Sequence, residues 1–285
     1  MLYLSEFQFP TEEDESDFLM CRQGDPWDTD YYPFGVLSAK EMPPLDLEPV
    51  TILYGGNGSG KSTALNVMAE ALRLNRDTAF NQTRFFDAYA ARCEMRTLRP
   101  VPRTSRFICS DDVFDYMLNL RAVNNRVDVR REELFEEYNE RRADRFQFRS
   151  MADYDRLKQA CNARRTTRNG YVRQRLANNI PTHSNGESAM AYFVEHIQSD
   201  ALYLLDEPEN SLSASRQREL AQFLSDSARF YNCQLVLATH SPFLLAMPGA
   251  KIYDLDAYPV QPRRWTELEN VREYYDFFRE HREEF

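Results

Sequence analysis

The sequence predicts an α/β protein: a mixed, largely parallel sheet flanked by helices, with a helical insertion. Three observations lead there. The apolar run Pro49-Val50-Thr51-Ile52-Leu53-Tyr54 is followed by a glycine-rich loop, and then by apolar residues at helical spacing through Ala71-Leu72. That order is strand, loop, helix. Two further apolar runs, 201–205 and 234–238, lack polar alternation, as central strands covered on both faces do. Each ends in polar residues, Asp206-Glu207 and Thr239-His240, at the carboxyl ends of strands where α/β sheets place their ligands.

The glycine loop runs Gly55-Gly56-Asn57-Gly58-Ser59-Gly60-Lys61-Ser62-Thr63 and fits G-x-x-x-x-G-K-[ST] from Gly55 to Ser62. Glycines let the backbone wrap closely around an anion, and the amides that open a helix point at it. In strand–loop–helix context the pattern predicts a nucleoside triphosphate site. Lys61 is expected to bridge the β- and γ-phosphates, Ser62 to ligate Mg2+, and Thr63 to meet the α-phosphate. Only four lysines occur, Lys40, Lys61, Lys158 and Lys251.

Next in order is a strand at 106–110 ending in Asp111-Asp112, then a charged segment. Residues 121–175 hold fifteen Arg or Lys against nine Asp or Glu, a net of +6 in a chain of −10. The segment reads as two or more charged helices inserted between two parts of one α/β domain, 1–120 and 176–285. Its end, 164–175, carries five arginines and no acid. One reading is a solvated helix face. Others are contact with a phosphate backbone or an acidic partner, and neutralisation of a γ-phosphate across a dimer.

Ser184-Asn185-Gly186-Glu187 reads as a polar cap and glycine turn opening a helix. In the strand end that follows, Asp206 is expected to hold Mg2+ and Glu207 to orient and deprotonate an attacking water. A second acid directly after the first points to hydrolysis rather than binding alone. His240 is expected to donate a hydrogen bond to the γ-phosphate while the backbone orients its other nitrogen.

The order of these phrases resembles ATP-binding-cassette ATPases, with Ser184-Asn185-Gly186-Glu187 in the place of their signature motif. The terminal glutamate is more typical of the chromosome-maintenance and RecF-like branch than of transporters. More of the chain resembles small standalone bacterial AAA-type ATPases, which also look like the ATPase part of overcoming-lysogenisation-defect nucleases. That resemblance covers roughly 30–75 and 180–255. His183 and Asn185 depart from the signature pattern, where the family has leucine and glycine. The resemblance implies an ATP-dependent homodimer in which Ser184, Asn185, Gly186 and Glu187 act on nucleotide held by the other chain. It makes residues 209–213 the D-loop, facing the partner's glycine loop. It also implies a glutamine-bearing loop that joins Mg2+ to the γ-phosphate. Asp111 is the expected occupant here, with Gln82 the alternative. ATP and Mg2+ are the implied cofactors. A separate effector protein and DNA contact through the basic insertion are the implied partners, in repair or antiphage defence. A transporter subunit and an ATP-gated scaffold are the alternatives.

At the ends, residues 1–9 alternate as an edge or meander strand, 11–17 predict an acidic loop, and 265–285 predict a charged capping or dimer-side helix. Tyr31, Tyr32 and Phe34 are expected in the core, with base stacking the alternative. Five cysteines without C-x-x-C fit a reducing cytoplasm. No run approaches the ~20 apolar residues of a membrane span, so direct membrane insertion is not expected.

Overall fold

The computed structural model describes residues 1–21, 30–143, 158, 161, 165–173, 175, 176 and 185–285. Its strands in chain order are β1 (Leu4–Gln8), β2 (Leu45–Asp46), β3 (Val50–Tyr54), β4 (Glu94–Thr97), β5 (Arg106–Cys109), β6 (Leu202–Asp206), β7 (Gln234–Ala238), β8 (Lys251–Asp254) and β9 (Gln261–Arg263). Its helices are α1 (Glu12–Cys21), α2 (Lys61–Ala71), α3 (Phe86–Ala90), α4 (Ser110–Ala143), α5 (Arg168–Arg173), α6 (Asn185–His196), α7 (Ala214–Phe230), α8 (Pro242–Leu245) and α9 (Glu269–Glu280). Contacts divide the chain into two compact units: Met1–Phe114 with Asn185–Phe285, and Asp115–Ser184.

The first unit is built on a six-stranded sheet in the order β5-β6-β7-β3-β8-β9. The first five of these strands run parallel, and β9 pairs antiparallel with β8. Every residue of β3 and β7 is buried, which is why neither shows polar alternation. Helix α2 buries Ala64, Leu65, Val67, Met68 and Ala69, joining a core that includes Leu53, Val236, Phe7, Phe86 and Tyr89. No helix among the described residues is long and apolar enough to cross a membrane.

A second, antiparallel sheet has the order β2-β1-β4. Its middle strand is β1, so the N-terminal run is not an edge. The Gln234 side chain, fully buried at the start of β7, ties it to the main sheet: Oε1 accepts from the Tyr3 and Leu4 amides at 2.7 and 2.9 Å. The acidic stretch at 11–17 is also not a loop, because α1 begins at Glu12. Thr11 and Asp14 cap each other's backbone amides, at 2.9 and 3.2 Å. The acids that suggested a loop fill the first turn, where the helix dipole favours negative charge.

Helix α4 is a single 34-residue charged helix. In the second unit, Leu134, Tyr138, Tyr171 and Val172 form a small core. Two arginines of the basic run lie on aromatic rings there, Arg168 on Phe135 at 3.8 Å and Arg175 on Tyr171 at 3.7 Å. The C-terminal segment is helical from Glu269 to Glu280, with Tyr274, Tyr275, Phe277 and Phe278 exposed.

Candidate active site

Three neighbouring strands deliver the predicted groups to one rim of the sheet. Leu53 of β3 and Asp206 of β6 both pair with Ala238 of the intervening β7. The glycine loop, Asp206-Glu207 and Thr239-His240 therefore leave the sheet side by side. The amide of Glu207 donates to Ala238 O at 2.9 Å and that of Thr239 to Leu53 O at 3.3 Å, extending the ladder to the site.

The loop has the shape an anion requires. Gly58 and Gly60 have φ of +80 and +93°, which side chains rarely adopt. Gly60 is the N-cap of α2 and offers no side-chain cap, so the first amides of that helix are left to a ligand. A Cβ on Gly55 would stand 2.5 Å from Ser59 Oγ. Lys61 is buried, with Nζ donating to the carbonyls of Gly55 and Gly56 at 2.7 and 2.9 Å. Its ammonium is also 3.9 Å from Glu207 Oε1.

Ser62 Oγ donates to Asp206 Oδ1 at 3.1 Å, so two hard oxygen ligands lie together at the head of α2. Mg2+ takes one or two protein oxygens beside phosphates, and this pair fits it. Burial pushes the Asp206 carboxyl up to about 6, against the opposing pull of the Ser62 hydroxyl and Lys61. Glu207 has φ +46°, a left-handed conformation at the strand end, and its Oε2 accepts from Asn210 Nδ2 at 3.0 Å.

His240 differs from expectation. Among the described residues no backbone group orients its Nδ1, which is buried and has no hydrogen-bond partner there. Two carboxylates face it instead, Glu209 Oε1 at 3.6 Å and Glu207 Oε1 at 3.7 Å. The backbone around it is held by Glu209, whose Oε1 accepts from the His240 and Ser241 amides at 3.1 and 3.2 Å and from Thr239 Oγ1. From the other side, Asn270 at the start of α9 donates to His240 O at 3.0 Å.

The remaining predicted residues are less closely gathered. β5 pairs with β6, with Cys109 opposite Asp206, so Asp111 follows a strand end beside the site. Asp111 is exposed in the first turn of α4, whereas buried Asp112 accepts from the Thr78 and Cys109 amides at 3.0 and 2.8 Å. Gln82 donates to Asp87 at 2.9 Å, a local contact. Ser184 lies outside the described residues. Asn185, Gly186 and Glu187 form the start of α6, and Glu187 accepts from Arg216 at 3.0 Å. Tyr32 donates its hydroxyl to Thr63 Oγ1 at 3.1 Å, while Tyr31 stacks on Phe85.

Asp256 and Asn270 were not expected at the site, and Glu209 was expected only as the first residue of a loop facing the partner's glycine loop. Asp256 accepts from the Gly56 amide at 2.7 Å, bracing the loop from the end of β8. Glu209 had a signal, an acid directly after Asp206-Glu207-Pro208. Its partners lie about thirty residues on, so that signal did not name them.

The sequence matches the family model described as ABC transporter over residues 45–210, more than half of the chain. A second model, an AAA domain of the AbiEii type (Type IV TA system), matches residues 179–246. A search of curated proteins found no match. Among solved structures, similarity extends to an Smc head domain with an extended coiled coil from Pyrococcus furiosus, bound to the C-terminal domain of ScpA. It has 11% identity, covers 97% of this chain and 100% of that one, and gives a TM-score of 0.47. An inward-facing ABC transporter of metal-chelate type has 19% identity, 80% and 77% coverage, and a TM-score of 0.38. A dimeric bacterial ABC transporter cassette has 15% identity, 78% and 88% coverage, and a TM-score of 0.38.

Proposed function

Because this chain belongs to the ABC transporter family of ATPases, we propose that it hydrolyses ATP with Mg2+, and that two chains close on two nucleotides. The observation that carries the reading is the convergence of three neighbouring strand ends on one rim. One brings the amides and Lys61, one the Asp206-Glu207 pair, and one His240. The glycine-loop amides would take the phosphates, and Lys61 would leave the Gly55 and Gly56 carbonyls for the β- and γ-phosphate oxygens. Ser62 and Asp206 would hold Mg2+, which neutralises phosphate charge when bound. Glu207 orients the attacking water and accepts its proton. His240 donates to the γ-phosphate, and Ser184 and Gly186 of the partner subunit complete the cage.

The output of this cycle is read as DNA-linked, gating a separate effector. The glutamate that ends Ser184-Asn185-Gly186-Glu187 and the +6 insertion support that reading. The matched family's description favours a second reading, the ATP-binding subunit of a transporter, which a co-purifying membrane permease would carry. The core claim is tested by Glu207→Gln. Losing a general base costs ~10²–10⁴ in rate. The variant is therefore expected to bind ATP, turn it over at least about 100-fold more slowly, and elute as a dimer with ATP by light scattering. Wild-type turnover by the variant, or a monomer at saturating ATP, would refute the sandwich.

A further inference from the structure

Glu209 lies outside the groups that contact nucleotide in this reading, yet it is 4% exposed and sits among them. One of its oxygens gathers three donors from consecutive residues: Thr239 Oγ1, the His240 amide and the Ser241 amide. The other, Oε2, is buried without a partner among the described residues, as is His240 Nδ1. A buried carboxylate oxygen and a buried imidazole nitrogen left unmade are each costly. His240 Nδ1 lies 3.6 Å from the other carboxylate oxygen, Oε1. The His240 side chain is 44% exposed although Nδ1 is not, so its open edge is the remainder of the ring, which includes Nε2.

We infer that Glu209 is the positioning residue of His240. It anchors the backbone of residues 239–241 and presents an acceptor to Nδ1, so that Nε2 faces the nucleotide. A carboxylate accepts and cannot donate, so a hydrogen bond from Nδ1 to it together with one from Nε2 to the γ-phosphate uses both protons of the imidazolium. A short rotation of the ring turns the 3.6 Å approach to Oε1 into a hydrogen bond and gives Nδ1 a partner.

The same segment holds the other hydrolytic side chain. Asn210, the next residue, donates to Glu207 Oε2 at 3.0 Å. A second tie runs from the start of α7, where Gln217 Oε1 accepts from Ser241 Oγ at 2.8 Å and Gln217 Nε2 donates to Leu212 O at 3.0 Å. Residues 207–212 are tightly turned, with the Asn210 and Leu212 amides donating to Glu207 O and Glu209 O at 3.1 and 3.0 Å. A displacement of this turn therefore moves Glu207 and His240 together.

The inference rests on the ATPase reading for its kinetic arm only. In the nucleotide-free protein, hydrogen exchange by NMR should show the His240 and Ser241 amides losing protection in Glu209→Ala and keeping it in Glu209→Gln, whose carbonyl accepts the same bonds. With Mg-ATP, Glu209→Ala should lower kcat about 30-fold or more while ATP affinity stays within about threefold. Glu209→Gln should recover most of that loss, and adding Glu209→Ala to His240→Ala should cost nothing further. Unchanged exchange in Glu209→Ala overturns the anchor. An equal loss in the alanine and glutamine variants, or full additivity with His240→Ala, overturns the positioning role. A fall in ATP affinity parallel to kcat does the same. A wild-type chain with the expected exchange pattern and no ATP turnover refutes the ATPase reading and leaves the anchor standing.

Discussion

Lys61 shows how a buried cation is held by its own chain. A buried ammonium needs acceptors on every side it turns from water, and Gly55 O, Gly56 O and the more distant Glu207 carboxylate supply them. All three are weak competitors for a triphosphate, because the carbonyls are neutral and Glu207 is 3.9 Å away. On the proposed ATPase reading, ATP would exchange these contacts for stronger charge-assisted ones. At 100 times its dissociation constant, a ligand stabilises the folded state by about 2.7 kcal/mol. That corresponds to a melting-temperature rise of roughly 5–10 °C for a domain of this size. Mg-ATP is expected to produce that rise in the wild type and none in Lys61→Ala, measured by differential scanning fluorimetry. An equal rise in both would show that the lysine does not meet the phosphates. Lys61 was legible as a candidate because the chemistry sits within one short phrase. Glu209 was not, because its donors, Thr239 to Ser241, come from another strand end and only the fold places them beside it.

Among the elements, the strands that build the site were readable because burial on both faces writes itself as unbroken apolar runs, as in β3 and β7. The antiparallel sheet was less so. β1 alternates, but its attachment depends on Gln234, 230 positions away, and no local pattern announces such a pair. Helix α1 was misread since an acidic run and an acidic first turn have the same composition, and only the Thr11–Asp14 capping pair distinguishes them. Gln234 makes the element-scale prediction. Its amide bonds the Tyr3 and Leu4 amides and, through Nε2, the Leu4 carbonyl at 2.6 Å, all buried. Gln234→Ala strands those three backbone groups, and a buried unsatisfied group costs about 1–3 kcal/mol. A destabilisation of roughly 3 kcal/mol, or a fall of about 6–12 °C in melting temperature, is expected. Hydrogen exchange should show the loss of protection concentrated in β1, β2 and β4. A melting temperature within a degree of the wild type would mean that the antiparallel sheet is held by its apolar contacts alone.

For the whole molecule, the decisive question is whether Ser184 serves its own chain's nucleotide or another's, and symmetry offers a way to ask it. In a two-fold dimer each surface contributes the same residues to both sites. If the signature acts across the interface, each site combines the glycine loop of one chain with the signature of the other. Lys61→Ala and Ser184→Arg then each inactivate a homodimer completely. In a mixed dimer the two lesions fall in the same site, and the second site receives an intact loop from one chain and an intact signature from the other. Random mixing makes half of the dimers mixed, and each of those has one whole site of two. Mixing the two dead variants in equal amounts is therefore expected to restore about a quarter of wild-type ATPase activity. The recovery should follow the square of protein concentration well below the dimer dissociation constant. If both motifs serve the same chain, the Lys61→Ala chain lacks a loop, the Ser184→Arg chain lacks a signature, and no mixture recovers activity. Single-variant controls at doubled concentration exclude residual turnover as the source. The outcome separates an intersubunit cage from a self-contained site, and it needs neither the effector nor any nucleic acid.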